Sequence, residues 1–298
     1  MTTFFQAIVG GIATGAVYAL IGLAYNVVFS GSGVFNLAQG QIMMLGIMLI
    51  WQFRQVWGWP TGLAIAAAIV SCVLANVIVE LTTVAPLRRG SMSDTASVIV
   101  PTLVTTLGAS IVITGLAVEL WGPTTRSFSP YFPFVGLHIG SVIVTKQDLL
   151  MLGTALLLMA GYIVFTARSR WGTALFAMSE DPEAASMRGI PVARSAMLAF
   201  GLGGLISGVA GAVLGPIAFA NPNLGFSFGF LGFIAIAIGG FGSVTGAVVG
   251  GFTLGIAESM TDAYWSGQYT FLVDLLLVLA VLYIKPRGLF VRSDLRVA

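Results

Sequence analysis

The sequence predicts an all-α, polytopic membrane helix bundle of about seven to nine transmembrane helices, with a Gly-rich broken or re-entrant segment. Three observations predict it. Hydrophobic residues make up 57% of the chain and charged residues 8%, against roughly 25% charged in soluble domains. The apolar runs are near the roughly 20 residues that a helix needs to cross a bilayer, and they are apolar on every face, unlike the short alternating segments of a β-barrel. Glycine is 38 of 298 residues, an excess that suits close packing of helices in lipid. Charge this sparse excludes a disordered chain, a fibrous architecture and a nucleic-acid binder.

The elements follow in order. Met1 to Gln6 lacks Lys and Arg, and the apolar run behind it is too long for the core of a signal peptide, so the first run reads as a retained helix. Runs of span length lie at about 4–29, 37–57, 61–83, 96–120, 148–167 and 194–218. Two glycine-rich half-length runs, about 228–241 and 244–258, flank Gly239-Gly240-Phe241-Gly242-Ser243. Together they are too short for two ordinary spans, so either two short tilted helices cross or the chain re-enters and turns back. The last run is about 269–284. Of the 13 Lys and Arg residues, ten fall in three breaks: Arg88 and Arg89; Arg168, Arg170, Arg188 and Arg194; and Lys285, Arg287, Arg292 and Arg296. The positive-inside rule makes these cytoplasmic, which puts the N-terminus outside and the C-terminus inside. Trp51, Trp57, Trp59, Trp121, Tyr131 and Trp265 edge the opposite breaks, as interfacial aromatics do. In the longest outer break, 121–147, residues 135–144 are expected to pair as a short hairpin. The single His138 there reads as a surface residue. One cysteine, Cys72, and one histidine offer neither a disulfide nor a metal cluster nor a catalytic constellation.

The segment 166–196 holds a short helix legible residue by residue. Asp181 suits the N-cap, Pro182 the first helical position and Glu183 the first turn. Arg188 falls in the last turn, Gly189 at the left-handed position beyond it, and Pro191 blocks continuation. So short a helix is not stable alone and is expected to dock onto something.

Glu183-Ala184-Ala185-x-x-x-Gly189 resembles the coupling motif of ABC-importer permeases. The wider stretch, Trp171-Gly172, Glu180-Asp181-Pro182-Glu183-Ala184-Ala185 and Gly189-Ile190, resembles the branched-chain amino-acid permease family, in its smaller high-affinity type of membrane subunit. The Ile-x-Leu-Pro end of the broader coupling consensus is absent after Gly189. Phe35-Asn36-Leu37-Ala38-Gln39-Gly40-Gln41 with Met43-Met44-Leu45-Gly46 is similar to that family's first inter-helix signature. Gly239 to Ala247 is similar to its late glycine-rich signature. The resemblance spans essentially the whole chain and implies one transmembrane permease domain, 1–298, containing a cytoplasmic coupling loop, 168–194. It implies a second homologous permease subunit, two cytoplasmic ATPases and an extracytoplasmic substrate-binding protein as partners, in a bacterial or archaeal cytoplasmic (inner) membrane. ATP and Mg would be used by the partner ATPases, with no cofactor bound by this chain, since it carries no Gly-x-x-x-x-Gly-Lys-[Ser/Thr] run. Glu180, Asp181, Pro182, Glu183, Ala184, Ala185, Arg188 and Gly189 would form the coupling site.

Polar residues at membrane depth mark a candidate pathway: Asn36, Gln39, Gln41, Thr105 and Thr106, with Gly239 and Gly240 at the glycine-rich break. No Lys or Arg falls deep in a span, which suits a neutral or zwitterionic solute with an apolar side chain. Branched-chain or other hydrophobic amino acids are the expected substrates; urea, amides or aromatic acids, which the family also carries, are the alternative. A stand-alone channel or a secondary transporter is the competing class. Asp274 falls about six residues into the last span, near the outside, whereas a secondary transporter usually has paired carboxylates within the membrane.

Overall fold

The structure, a computed structural model, describes residues 2–89, 95–132, 136–139, 142–180, 182–286 and 288–290. The helices are α1 (Thr2–Ser32), α2 (Gln39–Trp51), α3 (Thr61–Val79), α4 (Ala85–Arg89), α5 (Thr95–Trp121), α6 (Lys146–Arg168), α7 (Arg170–Glu180), α8 (Pro182–Met187), α9 (Val192–Ala218), α10 (Leu224–Gly239), α11 (Val244–Tyr264) and α12 (Thr270–Ile284). A π-helical turn, Gln52–Val56, extends α2, and a second, Glu80–Val84, fuses α3 to α4. The expected hairpin forms between β1 (Gly136–Ile139) and β2 (Val142–Thr145), with Gly136 opposite Thr145. Thr145 then starts α6 through a reciprocal capping box with Asp148.

Helices α1 and α9 lie at the centre and α3, α5, α6 and α12 at the periphery. The outward faces of the peripheral helices are apolar, with Val70, Leu74, Ile111, Leu157 and Leu276 all more than half exposed. A helix whose outer face is as apolar as its inner one needs lipid or protein around it, not water.

Two expectations about the spans change. Among the described residues six helices are long and apolar enough to cross a membrane, or up to seven if the bent pair α10–α11 counts as one span; the sequence count of seven to nine meets this only at its lower edge. The run 37–57 is the reason for one difference. Its α-helical part has 13 residues, about 20 Å, because the preceding backbone at 33–38 is not helical and is held among other helices. The second difference is in the glycine-rich segment. Helix α10 starts at Leu224 and α11 continues to Tyr264, and the two are bent by 118° at Gly240–Ser243. Gly240 and Gly242 have φ of 103° and 83°, a backbone that glycine adopts without strain. Ser243 caps α11 by accepting from Gly246 N at 3.0 Å, and Gly242 N donates to Asn26 Oδ1 at 2.8 Å.

Helix α11 packs along α1 through two Gly-x-x-x-Gly pairs, Gly11 with Gly15 and Gly251 with Gly255. A Cβ on Gly11 would lie 2.7 Å from Ile256 Cα, and one on Gly15 2.9 Å from Gly251 O. Backbones this close are the packing that small residues permit between membrane helices.

The chain has two distinct ends. At one, Arg88 donates to Ser32 O at 2.8 Å and lies 3.9 Å from Glu80, the α7 side chain Leu175 packs at Gly31, and the tail donates from Leu289 N to Ile238 O at 3.0 Å. At the other, Gln6 pairs with the Ile143 backbone, Trp51 Nε1 donates to Ser127 O at 3.0 Å, and Arg126 bridges Ala220. The basic segments that the sequence groups as cytoplasmic thus gather at the first end as far as they are described.

Candidate functional site

The segment after α6 is built to present a short helix. Gly172 lets α7 fold back on the end of α6: a Cβ there would lie 2.5 Å from Thr166 Cα. Leu175 and Met178 are each 1% exposed, so one face of α7 is anchored in the bundle, while Trp171 and Phe176 face outward. Helix α8 follows, with Glu180 closing α7, Pro182, Glu183, Ala184 and Ala185 inside α8, and Arg188 and Gly189 directly after it. Asp181, expected as the N-cap, lies outside the described residues. The expected stop at Gly189 is present, although Arg188, expected in the last turn, follows a helix that ends at Met187. Ile190 N donates to Ala185 O at 3.1 Å, Gly189 N to Ser186 O at 3.0 Å, and Gly189 has φ 82°. These two bonds around a left-handed glycine make a Schellman motif, which stops the helix and turns the chain toward α9. Ala185 is buried against the bundle, whereas Met187 is 82% exposed and Arg188 is exposed. The helix is therefore held at Ala185, while Met187 and Arg188 at its end are exposed.

The second region is the break between α1 and α2. Asn36 Nδ2 donates to Asn76 Oδ1 at 2.8 Å and to Gln39 Oε1 at 3.1 Å. Gln39 Nε2 donates to Ser207 Oγ at 2.7 Å and Gly203 O at 2.8 Å, and Asn76 Nδ2 donates to Phe200 O at 2.6 Å. Leu37 N donates to Thr106 Oγ1 at 3.2 Å. Asn36, Gln39 and Thr106 thus pin an irregular backbone to α3, α5 and α9. Non-helical backbone among membrane helices persists only when protein satisfies it in this way. Each interhelical bond contributes only about 0.6 kcal/mol on average in membrane proteins, so the network acts by satisfying the break as a unit. Thr105 stands apart: its hydroxyl donates back to Pro101 O at 3.0 Å within α5. Gly239 packs on the Gly246 carbonyl, and Gly240 begins the α10–α11 turn.

Gln41 behaves differently from its neighbours. It is 3% exposed, and its Oε1 has no hydrogen-bond partner. It lines a cavity of about 220 Å³ with residues of α1, α5 and α10.

Sequence reading missed two partners. Asn76 was not singled out, though an Asn within an apolar run is a signal for interhelical bonding. Glu258 was also passed over. It accepts from the Tyr18 hydroxyl and lies beside Asp274. Asp274 therefore has a carboxyl partner 16 positions away in sequence, which only the packing of α11 on α12 reveals.

Residues 7–282 match the family described as branched-chain amino acid transport system / permease component. The chain is 31% identical to the high-affinity branched-chain amino acid transport system permease protein LivH of Escherichia coli (strain K12), covering 98% of this chain and 96% of that one. It is 28% identical to the corresponding protein BraD of Pseudomonas aeruginosa, covering 98% and 97%. It is 28% identical to the fructose import permease protein FrcC of Rhizobium meliloti, covering 89% and 74%. The family match includes the satisfied break at Asn36–Gln39, the closed helix before Gly189 and the glycine turn at 239–243, so the chain belongs to the branched-chain amino acid transport system permease family.

Proposed function

We propose that this chain is the permease subunit of an ABC importer and forms half of the translocation pathway for branched-chain or other hydrophobic amino acids. The observation that carries this reading is the α7–α8 segment: a helix too short to stand alone, held by Leu175, Met178 and Ala185 and closed by the Gly189 motif, with Met187 and Arg188 exposed. That is what a docking element for a second protein requires. In this reading residues 180–189 couple to an ATPase, two such ATPases use ATP and Mg, and a second homologous permease completes the pathway. An extracytoplasmic binding protein delivers the solute. The whole chain acts as one permease domain in a bacterial or archaeal cytoplasmic membrane and hydrolyses nothing itself.

The reading is tested by reconstitution. The chain purified alone is expected to show no ATPase activity and no uptake. Co-assembly with a second permease, two ATPases and the binding protein is expected to restore both. Uptake of urea, an amide or a sugar instead of leucine, valine or isoleucine would move the substrate; the similarity to a fructose import permease is the reason to include a sugar. Uptake by the chain alone without ATP would favour a channel, or a carrier using the Glu258–Asp274 pair.

We also propose that the N-terminus faces outward and the end carrying α7, α8 and Arg88 faces the cytoplasm. Single cysteines at Ser127 and Met187, both exposed, are expected to label oppositely from outside: Ser127→Cys reacts and Met187→Cys does not. Cys72 is fully buried and stays silent. The reverse pattern inverts the topology.

A further inference from the structure

We propose that the cavity between α1, α2, α5 and α10 is a subsite for a zwitterionic amino acid with an apolar side chain, and that Gln41 is its polar anchor. The inference rests on the permease reading and goes further by naming the residues that contact the solute.

The walls are built by periodicity. Phe226, Phe230 and Phe233 recur at positions i, i+4 and i+7 of α10 and therefore share one face, and Leu37 closes the side opposite. Gly225 and Gly229, on the same helix, let α10 approach α2: a Cβ on Gly225 would lie 2.9 Å from Gln41 Cα, and one on Gly229 3.0 Å from Gly40 Cα. Without those two glycines the aromatic face would stand off from Gln41 and no cavity of this shape would exist.

Three polar side chains line the space, those of Tyr25, Gln41 and Ser110. Ser110 Oγ donates to Leu107 O at 2.7 Å. The Tyr25 ring packs edge-on against Phe233. Gln41 differs, a buried side chain whose carbonyl oxygen has no partner. Buried polar atoms are normally paired, and an orphan calls for an explanation. A carboxamide can accept from an ammonium group and donate to a carboxylate, the two polar groups of an amino-acid zwitterion. The aromatic face then takes the apolar side chain. The cavity, about 220 Å³, is smaller than the roughly 300–1,000 Å³ of sites for drug-sized ligands, so it admits one small solute. A sugar would bring several hydroxyls to a space with one free carboxamide and leave most of them unpaired. Phe226 is 69% exposed, so the cavity is not sealed at that residue.

The test uses the complete reconstituted importer with one binding protein throughout, so that changes in selectivity come from the permease. The probes are radiolabelled leucine and phenylalanine. Gln41→Leu is expected to lower uptake of both by about tenfold or more, the effect of removing a hydrogen bond to a charged group. Phe226→Ala enlarges the cavity at an exposed position and is expected to raise the phenylalanine-to-leucine uptake ratio by about tenfold. If Gln41→Leu fails to assemble, Phe226→Ala decides alone. Unchanged uptake and an unchanged ratio in assembled variants, beside a working unmutated importer, overturn the subsite and leave the permease reading standing. An unmutated importer that carries no amino acid overturns both.

Discussion

Replacing Gly255 by Leu is expected to abolish accumulation of folded protein. Helices α1 and α11 meet backbone to backbone, and a Cβ at 255 would sit inside contact distance of Gly15 N and Gly11 O. Overpacking a side-chain core usually costs about 1–3 kcal/mol because side chains shift. Here the obstacles are backbone atoms of two helices, which move only if the helices part. Parting them would also strip the contacts along Gly11, Gly15 and Gly251 and separate Tyr18 from Glu258. A loss above about 4 kcal/mol is expected, a large share of a total of about 5–15 kcal/mol. Gly153→Leu on α6 is the control, since nothing lies within 4 Å of a Cβ there. Membrane-fraction yield and thermal unfolding in detergent check the pair; equal stability of the two variants would refute a backbone-tight α1–α11 contact.

Gly189→Leu is expected to abolish uptake while leaving insertion and yield near those of the unmutated chain. At φ 82° a side chain with a Cβ costs roughly 1–2 kcal/mol, too little to unfold a many-helix bundle. The cost falls on the Schellman closure, whose bonds to Ala185 O and Ser186 O set the end of α8. A helix of 6 residues has no reserve against that loss. The signature is therefore weaker co-purification of the ATPases and lost uptake, since small changes in geometry at a docked element carry large kinetic effects. Transport at the unmutated rate would make α8 a connector only.

The sequence by itself determined what depends on near neighbours. Span-length apolar runs, the clustering of Arg and Lys, the hairpin after residue 135 and the stop at Gly189-Ile190-Pro191 are local signals, because hydropathy and backbone preference act within a turn or two of chain. The class of protein followed from them, and the family from the resemblance of the stretches 35–46, 171–190 and 239–247 to its motifs. The tertiary structure decided everything that depends on which groups meet. Asn36 and Gln39 read as a possible solute path, yet packing gives them to Asn76, Phe200, Gly203 and Ser207, and so shortens the second span to α2. Gln41, two residues on and chemically the same as Gln39, is the one left with an unpaired oxygen beside a cavity. Asp274 gained its partner Glu258 in the same way. Pairing of buried polar groups is a property of helix contacts between residues far apart in the chain, and a single sequence carries no local mark of which partner each will find.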